Sequence, residues 1–211
     1  MTVASLHEDC LPGDGLTDQV RFAAVQLLRC VVPAMFKAQQ PWALIGSLAS
    51  VLQGLNGYTP PDIDLATSME GAYTMQGAIS PQAVTIRPVQ FSSSGPYTSH
   101  FRIFESYFVK CEIMGNLVIQ LPDGHISVAE HFARWSDKVR ILHFDGMHVP
   151  VAPLEWQLVA NVLLGRLERI EGISRHLLEH GFDRPYVEDL LMDGALGERT
   201  IAGTRKALQL D

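Results

Sequence analysis

Residues 42–65 read WALIGSLASVLQGLNGYTPPDIDL, and this stretch carries the side chains best suited to chemistry on a phosphate. Gly46 has no side chain, so a backbone turn there can come close to a ligand. Ser47 stands where a helix would begin, and its hydroxyl with the free N–H groups nearby can bind phosphate oxygens. Asp62 and Asp64 are separated by one apolar residue. In a strand, residues two apart point to the same face, so the two carboxylates project together. Two like charges this close repel by ~1 kcal/mol at ~4 Å even in water, and by more at a shielded site. A fold that keeps such a pair usually supplies a cation. Oxygen ligands select a hard metal, with Mg2+ the natural candidate and Mn2+ an alternative. A metal and a phosphate grip are the two needs of a site for a nucleoside triphosphate (NTP).

A third acid extends the pattern. In the run Tyr107 to Met114, alternation places Phe108, Lys110 and Glu112 on one face, with Val109, Cys111 and Ile113 on the other. The second set suits a core. Glu112 beside the Asp pair would complete a three-carboxylate site. Asp-X-Asp alone is more often a solvated turn, and a strand Glu is often solvated too. The order strand, Gly-Ser, helix, Asp-X-Asp and Glu is what raises these residues above that background.

The elements that must hold these groups follow from pattern. Thr17 or Asp18 can cap a helix to about Gln39, bent at Pro33, with Val20, Ala23, Ala24, Leu27 and Val31 inward. Trp42 to Ile45 reads as a buried strand and Leu48 to Leu55 as a helix ended by Asn56-Gly57. Thr59-Pro60-Pro61 is an extended approach, because a residue before proline avoids the helical region. The strand it leads into is centred on Asp62 to Leu65. A helix over 68–79 and a strand over 84–91 come next, then a loop at Ser92 to Pro96. One or two strands are expected over 102–114. Pro122-Asp123-Gly124 and Asp145-Gly146 read as hairpin turns. From Leu154 the pattern is helical, with Trp156, Val159, Leu163, Leu167 and Ile170 on one stripe. Further helices are expected over 172–180, 185–193 and 197–209.

The fold class is therefore α+β: a mixed sheet flanked by helices, with a small C-terminal helical domain. The expected division is 1–152 and 153–211, with residues 1–15 a flexible leader ending in Pro12-Gly13-Asp14-Gly15. The chain has 211 residues and is 47% hydrophobic. A chain of this size buries roughly 70% of the surface that its unfolded state exposes, so it needs no staples. Cys10, Cys30 and Cys111 are odd in number and lack CxxC spacing, against both a disulfide framework and a zinc site. No apolar run is expected to reach the ~18 residues of a membrane span, and the N-terminus lacks a basic signal region. A cytoplasmic protein without membrane contact is expected. The net charge of −7 disfavours general DNA binding. The eight histidines show no HExxH or HxH spacing; His143 and His148 are expected to face each other across the Asp145-Gly146 turn without forming a metal site. Trp42, Trp135 and Trp156 are expected in the core or between domains.

In this order, Gly46-Ser47, Asp62-Ile63-Asp64 and Glu112 resemble the signature of the nucleotidyltransferase superfamily, the polymerase-beta-like fold of small bacterial type. The resemblance covers about residues 40–115. Leu163-Leu164-Gly165-Arg166 is similar to a helix stretch of the smaller bacterial members. The Gly-Ser to Asp spacing is long for the family, with Tyr58 to Pro61 the excess, and Glu168-Arg169 stands where many relatives carry Lys-Asp. The resemblance implies magnesium-dependent transfer of a nucleoside monophosphate from an NTP to a hydroxyl of a small molecule, a protein or RNA. It implies that Asp62, Asp64 and Glu112 hold two metal ions and that Gly46 and Ser47 grip the outer phosphates. Lys110, Arg102 and Arg166 are further triphosphate candidates. The main alternative is a non-catalytic nucleotide-binding regulatory module with the same fold. A glycosyltransferase using Asp-X-Asp ranks last, since a doubly wound nucleotide-binding region is missing.

Overall fold

The computed structural model describes residues 15–81, 83–193 and 195–210. Cys10 and nearly all of the expected leader lie outside the described residues, as does the side chain of Trp135. Eight helices and eight strands occur among the described residues: α1 (Asp18–Ala38), β1 (Trp42–Ile45), α2 (Gly46–Leu52), β2 (Asp62–Thr67), α3 (Met69–Ile79), β3 (Val84–Ser94), β4 (Tyr97–Ser106) and β5 (Val109–Leu121) lead. Next come β6 (Gly124–Ser127), α4 (Val128–Trp135), β7 (Arg140–Phe144), β8 (Met147–Val151), α5 (Leu154–Leu164), α6 (Leu167–His180), α7 (Arg184–Met192) and α8 (Glu198–Ala207).

The strands form one mixed sheet in the order β3-β4-β5-β2-β1-β8-β7, with β6 beside β5. The pairs β2–β5 and β1–β8 are parallel and the others antiparallel. Alternation along the strands divides the core in two. Leu44, Ile63, Leu65, Cys111 and Ile113 meet α1, α2 and α3 on one side. Ala43, Ile45, Ala66, Leu117 and Ile119 meet α5 to α8 on the other. The acids of β2 and β5 share this second face.

Local chemistry sets the ends of the elements. The Thr17 hydroxyl accepts from Val20 N–H at the start of α1, and Ser68 does the same for Gly71 at α3. α1 is long and apolar enough by composition to cross a membrane, contrary to expectation. Its residues Ala23, Ala24, Leu28 and Val31 are fully buried on the sheet, as in a core helix. α2 begins at Gly46 itself, two residues before the expected start. Ser92 to Ser94, expected in a loop, continue β3 as one arm of a long hairpin. α4 was not foreseen from the sequence. The stripe expected to run from Trp156 through Leu167 is cut at Gly165, which ends α5 in the left-handed region. Leu167 then stands exposed on α6.

One irregularity shapes the site. Asn116 has φ 50°, and the β4–β5 register shifts between Thr98 and His100. The bulge reverses the alternation. Before it Glu112 and Met114 face the helices of the C-terminal part; after it Leu117 and Ile119 do. The Asn116 side chain accepts from Met69 N–H at 3.1 Å, which fixes the bulge to α3.

The C-terminal helices are tied to the sheet by polar contacts. Asp123, in the β5–β6 turn, accepts from Thr200 N–H at 2.6 Å and from its hydroxyl at 2.5 Å. Glu155 is buried on α5, accepts from Asp183 N–H at 3.1 Å, and lies 3.6 Å from Arg140 of β7.

Candidate active site

β2 and β5 run parallel with Asp62 opposite Lys110 and Asp64 opposite Glu112. That register gathers the three expected acids and the lysine on one face. Asp62 and Glu112 are about one-fifth exposed, and the Lys110 ammonium stands 3.3 Å from Asp62 Oδ2 and 2.8 Å from Glu112 Oε1. These partners raise the Lys110 pKa, with the Glu112 hydrogen bond the leading cause. Asp64 has no such partner. Burial, and then the charges of Asp62 and Glu112, push its carboxyl up to about 8.

Gly46 closes the site from above. It has φ 70°, and a Cβ built on it would stand 2.4 Å from Asp64 Oδ2. Only glycine allows this turn over this carboxylate. Ser50 Oγ donates to Gly46 O or to Gln157 Oε1, both at 3.1 Å, and Gln157 Nε2 donates to Ala152 O at 3.0 Å. This buried chain fixes the Gly46 turn to α5. Ser47 is buried in the first turn of α2; Gly46, and not Ser47, borders the cavity beyond.

That cavity has a volume of about 380 Å3 and runs from Gly46, Asp64 and Glu112 between the sheet and α5. Met114, Leu117 and Ile119 of β5 form its floor, and Trp156, Ala160 and Leu164 of α5 its roof. Tyr97, Ser99 and Phe101 of β4 and Arg87 of β3 make the far wall. Arg166 reaches its rim and donates to Tyr97 OH at 2.6 Å.

Arg102 is a correction. Its partner in the register is Ile113, not Glu112, so it points to the opposite face. It is fully buried there, donating to Thr85 Oγ1 at 2.7 Å and more weakly to Gln76 O and Ser80 Oγ, both at 3.3 Å. It braces the β3–β4 hairpin against α3 and cannot reach a triphosphate on the acidic face. Phe108 is likewise outside the strand, in the turn with Tyr107, and strongly exposed. His143 and His148 do pair across their turn, with ring centroids 5.7 Å apart, on an exposed surface.

No group of three or more His, Cys, Asp or Glu side chains is placed to hold a metal ion among the described residues. The donor chemistry nevertheless fits a hard divalent cation. All three groups are carboxylates and share one face, and burial, together with the charges of Asp62 and Glu112, raises the Asp64 pKa, a cost that a bound cation would relieve. Two of the three are engaged by Lys110, whose ammonium would have to give way.

The excess loop also has a place. Tyr58 OH donates to Glu168 O at 2.6 Å, and the Arg169 guanidinium lies 4.3 Å from the Tyr58 ring centroid. The loop thereby clasps α6 beside Arg166. Tyr97, Phe101, Trp156 and Asn161 were not singled out as site residues from sequence. An Asn and a Gln inside the apolar α5 run were the one signal available.

The family model of aminoglycoside-2''-adenylyltransferases matches residues 27–169, a span that contains Gly46, the three acids and Arg166. Among solved structures, a candidate nucleotidyltransferase from Thermotoga maritima is 30% identical. The match covers 74% of this chain and 94% of that one, with a TM-score of 0.56. ANT(2'')-Ia in complex with adenylyl-2''-tobramycin is 9% identical, over 88% of this chain and 89% of its own, with a TM-score of 0.40. JHP933 from Helicobacter pylori is 14% identical, over 92% and 94%, with a TM-score of 0.44. Neither of these last two bears on the site. No curated protein matches the sequence.

Proposed function

The chain belongs to the aminoglycoside-2''-adenylyltransferase family and is a nucleotidyltransferase; from that premise we propose that it moves a nucleoside monophosphate from an NTP to a hydroxyl, with Mg2+ as its metal. The observation that carries this is the parallel register of Asp64 with Glu112 beneath the Gly46 turn. A close-approaching backbone turn over the acids is what a grip on phosphate requires.

Asp62, Asp64 and Glu112 would hold the divalent cation, which when bound supplies charge to steady the triphosphate and to acidify the attacking hydroxyl. The acceptor oxygen attacks the α-phosphorus in line. A new P–O bond forms, the bond to the bridging oxygen breaks, and pyrophosphate leaves. Glu112 borders the cavity and takes the hydroxyl proton. Gly46 brings backbone close to the outer phosphates. Arg166, at the cavity rim, supplies positive charge to them. Lys110, once displaced from Asp62 and Glu112, is a further phosphate contact.

The size of the cavity favours a small-molecule acceptor over RNA or protein. We keep the division at residues 152/153, where β8 gives way to α5, and place the protein in the cytoplasm.

The test incubates the full chain with each α-labelled NTP, Mg2+ and a small-molecule extract. Transfer of label with one pyrophosphate released per transfer is expected. An absence of NTP binding by calorimetry would remove the proposal.

A further inference from the structure

Arg166 caps the start of α6, and the residue before it is a joint. Gly165 ends α5 with φ 68°, a conformation that favours glycine. Residues 165–172 are exposed or half-buried, and the first buried side chain of α6 is Ile173. Helices in proteins draw most of their stability from a packed face. The turn from which the Arg166 side chain springs lacks a buried side chain of its own.

Tyr58 packs against that turn from outside. Its hydroxyl donates to Glu168 O at 2.6 Å, and the Arg169 guanidinium lies 4.3 Å from its ring centroid. Gly172, one turn beyond Glu168 and on the same face, completes the seat. A Cβ there would stand 2.1 Å from the Tyr58 hydroxyl oxygen and 2.8 Å from ring carbons. The ring therefore lies against bare helix backbone, a close approach that glycine allows.

The other end of the same loop is the acidic strand. Thr59, Pro60 and Pro61 alone separate Tyr58 from Asp62, and Pro60 is buried. Proline rings fix φ, so this connector passes the position of Tyr58 on to β2 with little slack. Arg166 is near enough to the acids for its charge to act there. Burial and the charges of Asp62 and Glu112 raise the Asp64 pKa, and Lys110 and Arg166 pull it back. The guanidinium also donates to Tyr97 OH at 2.6 Å. It is steadied from across the cavity while its helix is steadied by Tyr58.

We infer that Tyr58 is a positioning residue for nucleotide binding: a strut between β2 and the first turn of α6, it sets where Arg166 stands relative to the acids and to the triphosphate. Tyr58 itself touches no substrate. The inference rests on the transfer function proposed above, with Arg166 as a phosphate contact.

The test measures nucleotide binding to the full chain in Mg2+ by calorimetry. Its probe is whichever α,β-methylene analogue of ATP, GTP, CTP or UTP binds the wild type most tightly. Tyr58→Phe keeps the ring beside Arg169 and loses the bond to Glu168 O; binding about threefold weaker is expected. Gly172→Ala puts a methyl where the hydroxyl lies; binding about tenfold weaker is expected, although alanine suits a helix better than glycine. Both losses act through Arg166, so in an Arg166→Ala background each should shrink below about twofold. Circular dichroism sets the folded fraction of every variant. Wild-type affinity in the folded fraction of both variants would leave Tyr58 a purely structural role and overturn the inference. Losses that persist in full without Arg166 overturn it too. If no analogue binds the wild type, the transfer function falls and the strut with it. If the wild type binds and both variants match it, the strut alone falls.

Discussion

The Gly46 turn lies so close to Asp64 that a Cβ at position 46 would stand 2.4 Å from the carboxylate Oδ2. Backbone and acid thus occupy adjoining halves of one site, and the φ of 70° at Gly46 keeps them there. Gly46→Ala should strain the turn by about 1–2 kcal/mol and move the carboxylate. The expected kinetic result is a KM for NTP raised at least about tenfold, with kcat also reduced. Wild-type kinetics in this variant would show that the turn does not touch the substrate.

Lys110 neutralises part of the acidic face as it stands, through Asp62 and Glu112. Lys110→Met should therefore tighten Mn2+ binding measured without nucleotide, because the competing ammonium is gone. It should also lower stability in chelator. With the lysine half exposed, that loss is of order 1 kcal/mol. Electron paramagnetic resonance of free Mn2+ checks the first point; unchanged or weaker binding would mean that Lys110 does not compete with a cation.

The buried carboxyl of Asp64 gives a pH signature. Its folded pKa, pushed up to about 8, lies above the unfolded value of about 3.9. The folded state thus holds a proton that the unfolded chain releases. The stability tied to this group is fully present below about pH 4 and is lost as pH rises through about 8. In chelator, urea unfolding of the wild type should weaken relative to Asp64→Asn between about pH 4 and 8, by up to a few kcal/mol, and level off above that. Mg2+ should reduce the difference. Parallel pH curves for the two proteins would contradict the burial of this carboxyl.

Arg102 should matter for folding rather than for substrate. It is fully buried and holds α3 to the β3–β4 hairpin. Arg102→Ala is expected to cost roughly 2–4 kcal/mol in stability. The KM for NTP of the folded fraction should stay near that of the wild type. A selective rise in KM with unchanged stability would return Arg102 to the phosphate site.

The acid pair was legible because strand alternation is local. Asp62 and Asp64 share a face in any register, and so do Lys110 and Glu112. What alternation cannot give is which strand lies beside which, and at what offset. Arg102 was misplaced for that reason: its face follows from pairing with Ile113. The bulge at Asn116 was hidden too, since one residue in the left-handed region turns Leu117 and Ile119 into the cavity without disturbing the hydrophobic pattern. The cavity roof depends on α5 crossing back over the sheet. Trp156 therefore read only as a core or inter-domain residue, and Asn161 carried no signal beyond being polar in an apolar run. Tyr58 was noticed as excess length, but its dock on α6 is a long-range contact.

The central claim is that the Asp62, Asp64 and Glu112 face transfers a nucleotide with a metal. Label transfer from α-labelled ATP by Asp64→Asn, compared with wild type in Mg2+ and normalised to folded protein by circular dichroism, tests it most directly. The account predicts a loss of at least about 10²–10³-fold with the fold intact. Transfer at the wild-type rate by that folded variant would contradict it.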